Sequence, residues 1–186
     1  MRNINASDLY AISYHFKGEK GSHQHIIINE MVKYLPVIIN KYQINTPLRI
    51  CHFLSQLCNE SRGFSSLIEE NIDPKNNRYE HKKILGNTHD GDGYKYRGRG
   101  FIQVTGRYNY TQLSKVINLE LVTNPDLLSN DVHLALKISA IFWSHKHINN
   151  PADRDDAREV TYRINGGYIG YQDRLEFLRR AKKVFL

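Results

Sequence analysis

Leu48, Ile50, Cys51, Phe53, Leu54, Leu57 and Cys58 recur at helical spacing and cover more than one face of a helix. So wide an apolar surface belongs in a core. Thr46 followed by Pro47 is a start signal, an N-cap and then a proline in the first turn. Gly63 is a stop signal. Similar spacing predicts helices over 6–16, 25–35, 36–42, 110–118, 131–145, 155–164 and 171–184. The break between the second and third falls at Pro36, where a proline can begin a new piece, and isoleucine clusters leave strand as a competing reading there. Phe101, Gln103 and Thr105 alternate with Ile102 and Val104, which predicts one short strand. The expected fold is mainly α with a small β element, as a single domain over residues 1–186.

The predicted core helix ends at an acid. Glu60 falls in its last turn, near the negative end of the helix dipole and near apolar neighbours, and both disfavour a charged carboxylate. Such a setting suits a general acid, although a capping or salt-bridged glutamate explains the position equally well. Glu69 follows nine residues later. Two carboxyl groups in different protonation states are what glycosidic bond cleavage needs. Gly63 and two serines give the linker freedom to fold back.

A second block runs from Tyr94 to Tyr110. Glycines at 91, 93, 98, 100 and 106 mark tight backbone that a ligand can approach. Tyr94, Tyr96, Phe101, Tyr108 and Tyr110 offer flat faces for sugar rings, with core packing as the alternative for half or more of them. Gln103 and Asn109 offer amides for N-acetyl and hydroxyl groups. Salt bridges or solvated charge account equally well for Arg97 and Arg99.

The segments Ile44-Asn-Thr-Pro-Leu-Arg49, Glu60-Ser-Arg-Gly-Phe64, Ile68-Glu-Glu-Asn71, Leu85-Gly-Asn-Thr88, Gly91-Asp-Gly93, Tyr96-Arg-Gly-Arg-Gly-Phe-Ile-Gln-Val-Thr-Gly106 and Tyr108-Asn-Tyr110 together resemble the glycoside hydrolase family 19 catalytic domain. The likeness runs on through Asn124-Pro-Asp-Leu-Leu128, Phe142-Trp143, Ile164-Asn-Gly-Gly167 and Asp173-Arg174, so it covers the chain from about Ile44 onward. That family holds chitinases and phage or prophage endolysins. The resemblance implies a lysozyme-like, two-lobed helical domain with a central substrate cleft and an inverting mechanism. It makes Glu60 the general acid, Glu69 the general base and Thr105 a holder of the attacking water. Gln103, Asn109, Asn165 and Arg174 become substrate-cleft residues; the ring of Tyr96 is the expected sugar contact among the tyrosines, and the opposite charge of Arg174 is expected to keep Glu69 ionised. Glu80, in the region where plant-type members carry their base, is the alternative base, and a salt bridge is its structural explanation. Asn59 stands where the family usually has histidine, and Arg62 where glycine is common. An inverting pair stands roughly 6.5–9.5 Å apart to admit a water.

Charge narrows the expected partner. A formal net charge of +7 and a pI near 9.4 favour an anionic polymer. Peptidoglycan carries stem-peptide carboxylates, whereas chitin is nearly neutral. The expected activity is therefore an endolysin cleaving peptidoglycan glycan strands as an N-acetylmuramidase. A chitinase, a secreted antibacterial toxin of the same chemistry and a non-enzymatic wall-binding module are the alternatives. Arg97-Gly-Arg-Gly100 could suit nucleic acid, but no recognised nucleic-acid module accompanies it and no nucleic-acid partner is expected. No metal or other cofactor is expected: His23, His25, His145 and His147 lack cysteine or acidic partners at ligand spacing.

Cys51 and Cys58, about 10 Å apart along one helix, cannot form a disulfide and suit a reduced core. No apolar run approaches membrane-span length, so no membrane insertion is expected. The N-terminal stretch lacks the apolar region of an export signal. The expectation is a monomer made in a bacterial cytoplasm, released by a separate holin and acting in the cell wall.

Overall fold

The computed structural model describes residues 3–75 and 77–186; Met1 and Arg2 of the N-terminal stretch considered above lie outside them. Among the described residues ten α-helical elements follow in order: α1 (Ala6–Ile12), α2 (Gly18–Lys41), α3 (Pro47–Glu60), α4 (Asp92–Lys95), α5 (Arg107–Ile117), α6 (Leu127–Asn130), α7 (Val132–His145), α8 (Asn149–Asp153), α9 (Ala157–Asn165) and α10 (Tyr171–Phe185). The fold is mainly α, as the hydrophobic spacing predicts. The chain divides into two compact units, residues 1–66 with 136–186, and residues 67–135.

In the first unit α3 is the centre. Thr46 caps it by accepting from the Arg49 amide at 3.3 Å, and Pro47 opens the first turn. Every residue from Ile50 to Cys58 is buried, the polar His52, Ser55 and Gln56 included. α10, α8 and α9 pack around it, and the Phe53 and Trp143 rings meet edge to face at 5.3 Å. α1 carries a full capping box between Asn5 and Asp8. The expected break at Pro36 is absent: α2 is one helix of 24 residues. Pro36 lies on its exposed side, where water can satisfy the carbonyl that proline leaves without a donor. The buried stripe Ile27, Ile28, Met31, Leu35, Ile38 and Ile39 runs past it on the other side and holds the two halves in line.

In the second unit the expected strand is replaced by a turn. Among the described residues β structure is limited to the isolated bridges Ile68↔Arg99 and Arg99↔Val104. Between the partners of the second bridge, Gly100 and Gln103 take positive φ of 74° and 52°, which folds residues 100–103 back on themselves. Alternation in so short a run therefore marked a tight loop with one paired residue at each end. This unit is organised by buried arginine. Arg99, 2% exposed, pairs with Asp126 and donates to the Lys95 carbonyl and the Tyr110 hydroxyl. Arg107 pairs with Asp92. Burial alone would raise the Asp92 carboxyl, but the guanidinium and the His89 and Thr88 amides overcome it and hold it at about 2.

Two predictions follow from the burial of α3. Burial pushes the His52 imidazole below its usual 6.5, against the opposing hydrogen bond to Asp155 at 2.9 Å, and its buried Nδ1 has no partner. The unfolded chain therefore binds the proton first. His52 contributes its full stability above pH 6.5 and loses it as pH falls from there towards the depressed folded value. Urea midpoints between pH 8 and pH 5 should fall for the native chain and fall less for His52→Gln, which keeps a donor for Asp155; equal slopes would refute this. Burial also raises the Cys51 thiol to about 11 and the Cys58 thiol well above its ordinary value, and neither is in a disulfide. Ellman's reagent should find neither thiol in the native protein at pH 8 and both after denaturation.

Candidate active site

Glu60 is the last residue of α3, and Gln56 lies one turn before it on the same face. Arg174, 3% exposed on α10, reaches both: Nη1 donates to Gln56 Oε1 and Nη2 to Glu60 Oε1. Its Nε donates to the Ile169 carbonyl at 3.3 Å. The Glu60 side chain keeps 17% of its surface exposed. Here the structure corrects the sequence reading twice. Arg174 pairs with Glu60 rather than Glu69, because both side chains belong to the α3–α10 contact. Apolar neighbours alone do not define the surroundings of Glu60; a buried cation does. After Glu60 the chain reverses through Arg62, Gly63 and Phe64, all at positive φ, with the Ser61 hydroxyl bridging the Leu57 carbonyl and the Phe64 amide.

Glu69 belongs to the second unit and has its own partners. Its backbone amide donates to the Gly98 carbonyl at 2.8 Å, and the Gly98 amide donates back to Oε2 at 3.1 Å. Oε1 accepts from Arg78 Nη2 at 2.6 Å and from the Tyr79 hydroxyl at 2.9 Å. All three side-chain contacts are donors, which an ionised carboxylate satisfies without any proton of its own. Gly98 leaves room for both side chains: a Cβ there would lie 2.5 Å from Gln103 Oε1 and 3.1 Å from Glu69 Oε2 and would push them aside. Arg78, Tyr79 and Gly98 were missed as partners of this acid, since they lie in loops where no periodicity relates them to Glu69. Gln56 was legible in principle, as an amide one turn before Glu60 on the same helix.

The turn that follows assembles the expected polar residues. The Gln103 amide donates to the Gly100 carbonyl at 2.9 Å, and Thr105 Oγ1 to the Gln103 carbonyl at 2.9 Å. Asn109 donates to the Thr105 carbonyl at 2.7 Å from the first turns of α5. Gln103, Thr105 and Asn109 thus form one hydrogen-bonded chain within the second unit. Tyr108 beside them is exposed. Asn165 ends α9 in the first unit and is exposed as well.

Tyr96 is a correction. It is fully buried, its ring packs on Tyr110 at 5.3 Å, and its hydroxyl donates to the Val122 carbonyl at 3.0 Å. A ring covered on its faces and satisfied at its hydroxyl has nothing to offer a sugar; Phe101 and Tyr110 are buried likewise. Glu80 accepts from the Gly91 amide at 2.6 Å and the Gly93 amide at 2.9 Å, so it fastens the loop entering α4. Glu80, His81 and Asp90 place three potential ligand atoms within 4.8 Å of one another. Asp90 is wholly exposed and Glu80 is already committed to those amides, so the group reads as loop fastening. Among the described residues no helix is long and apolar enough to cross a membrane.

Comparison with known proteins bears on this geometry. The sequence model of the chitinase class I family, glycosyl hydrolase family 19, matches residues 61–160. That span contains Glu69, Gln103, Thr105 and Asn109 and begins one residue after Glu60. A glycosyl hydrolase family 19 domain-containing protein of Haemophilus influenzae is 33% identical over 104 residues, 56% of this chain and 50% of the relative. A basic endochitinase of Vitis vinifera is 34% identical over 114 residues, 47% of this chain and 36% of the relative. The chain thus spans half or less of the length of these relatives. Among solved structures, chitinase C of Streptomyces griseus superposes with a TM-score of 0.66 at 15% identity, covering 98% of this chain and 76% of that one, a likeness of fold. With more than half of the sequence matched by the family model and the helical fold shared, the chain belongs to glycoside hydrolase family 19.

Proposed function

We propose that the chain hydrolyses β-1,4 glycosidic bonds of peptidoglycan glycan strands by inversion, with Glu60 as general acid and Glu69 as general base. The observation that carries the assignment of roles is the contrast between the two glutamates. Glu69 is held by three donors and fits a base that takes a proton from water. Glu60 is held through one oxygen by one guanidinium. Arg174 retains Gln56 and the Ile169 carbonyl as hydrogen-bond acceptors when Glu60 turns to a leaving-group oxygen. In the step itself a water oxygen bonds to the anomeric carbon while its proton passes to Glu69. The glycosidic C–O bond breaks, and the departing oxygen takes the proton of Glu60. Thr105, in its chain with Gln103 and Asn109, is assigned to orient that water.

Peptidoglycan is preferred to chitin as substrate because the chain carries a formal charge of +7. Chitin is the second reading, favoured by the endochitinase names of the relatives. The setting proposed is a lysin that acts in the wall after release by a separate holin; a secreted antibacterial toxin would use the same chemistry.

Digestion of purified sacculi and of chitin oligosaccharides, with the new reducing-end sugar identified by mass spectrometry, tests both readings. Muramic acid at the new end supports the first, and exclusive cleavage of chitin supports the second. Glu60→Gln and Glu69→Gln should each lower kcat by about 10²–10⁴-fold; Glu69→Gln should melt near the native temperature, whereas Glu60→Gln should melt lower because buried Arg174 loses its counter-charge. Glu80→Gln should cost stability through its loop but leave kcat within about threefold; a larger loss would transfer the base role to it. Gly98→Ala should lower kcat with a smaller effect on KM, because its methyl presses on Glu69 and Gln103.

A further inference from the structure

Beside the Glu60–Arg174 pair lies a concavity of about 340 Å³, built wholly within the first unit. Asn59 and Asp173 line it, and each immediately precedes one member of that pair in the chain. Its aromatic wall is Tyr14, Phe16 and Phe177, with Tyr14 edge-on to Phe177 at 5.2 Å and to Phe16 at 6.4 Å. Two cations complete it, Lys20 from the start of α2 and Arg62 from the turn after Glu60. Lys20 stands over the Phe16 ring at 3.7 Å.

The walls are fixed from below. Gln24 is 1% exposed and its amide donates to the Tyr14 carbonyl at 2.6 Å and the Gly63 carbonyl at 2.7 Å. One buried side chain thus fastens the segment between α1 and α2 to the turn that follows α3. Gly63 makes this possible: a Cβ there would lie 3.0 Å from the Phe16 ring. Tyr14, Phe16 and Lys20, from an N-terminal segment that the family match does not reach, supply three of its eight lining residues.

We propose that this concavity binds the stem peptide borne by N-acetylmuramic acid and so selects peptide-bearing glycan. The chemistry is complementary on each side. Lys20 and Arg62 suit the carboxylates of the stem, Asp173 suits the ammonium of its diamino acid, and the aromatic wall suits its alanine and lactyl methyl groups. Asn59 offers an amide to the peptide backbone. A bare N-acetylglucosamine polymer presents none of these groups. The proposal rests on the peptidoglycan reading above.

Calorimetry with a soluble disaccharide-peptide and with the same disaccharide stripped of its peptide tests it. The native protein should bind the first at least about tenfold more tightly, a difference of about 1.4 kcal/mol. The double variant Lys20→Ala/Arg62→Gly should lose most of that ratio. Arg62 has a φ of 52°, which glycine adopts without strain, and a melting curve taken beside the titration checks that the variant is folded. Phe16→Ala provides a second, uncharged probe of the same wall and should also reduce the ratio. Equal affinity for the two ligands, or a ratio that survives in both variants, overturns the proposal. Cleavage of sacculi distinguishes this from failure of the underlying reading. Sacculi cut with no peptide preference leave the reading standing and remove the pocket. A peptide preference lost in the variants, without cleavage of sacculi, keeps the pocket and removes the reading.

Discussion

The first unit depends on one buried cation. Arg174 projects from α10 into the end of α3, and its three donor nitrogens go to Glu60, Gln56 and the Ile169 carbonyl. A guanidinium at 3% exposure is tolerable only when its hydrogens are accepted, and the acceptors here are spaced one helical turn apart on α3. The α3–α10 contact and the position of Glu60 are therefore a single arrangement. Removing the acid strands the arginine, and removing the arginine takes from Gln56 and Glu60 the donor they share. Stability and chemistry are coupled at this point, so losses from changes at Glu60 need a folding measurement beside them.

The second unit solves the same problem with separate pairs. Arg99 with Asp126 and Arg107 with Asp92 hold its loops, and Tyr96 and Tyr110 fill the space between. Because the unit has little regular structure, these polar links carry the work that helix packing carries elsewhere. Glu69 is placed by that framework: Gly98, which clasps it front and back, is one residue from Arg99. A carboxylate set on so fastened a turn keeps its geometry without a helix beneath it.

What the sequence revealed follows from which forces are periodic. α3 was legible from its cap, its apolar spacing and the acid at its end, and α5, α7, α9 and α10 fell within a few residues of expectation. Gln103, Thr105 and Asn109 were legible as a group because the resemblance supplied their order. Aromatic burial was not legible, since a glycine-rich segment brings Tyr96 and Phe101 as close to a core as to a ligand. Nor was the partner of Arg174. Its choice of Glu60 over Glu69 is fixed by a contact between elements far apart in sequence, and no local pattern records it. The continuity of α2 through Pro36 is similar: the buried stripe outweighs one lost hydrogen bond, a comparison of magnitudes that residue identity alone does not make.

Charge belongs at two ranges. Each internal pair, such as Arg49 with Asp153 or Arg99 with Asp126, withdraws one charge of each sign, so pairing leaves the excess of +7 intact. An excess of that kind attracts anionic polymers in general, but screening confines it to about 8 Å at physiological salt and it distinguishes no sugar from another. Discrimination has to be local. The surface beside Glu60 carries Asn59 and Arg62, the two positions where the chain departs from the resembled family's pattern, and both line the same aromatic concavity. On the proposed reading, the carboxylates set the bond that is cut and the neighbouring surface sets the polymer, so the two can change independently.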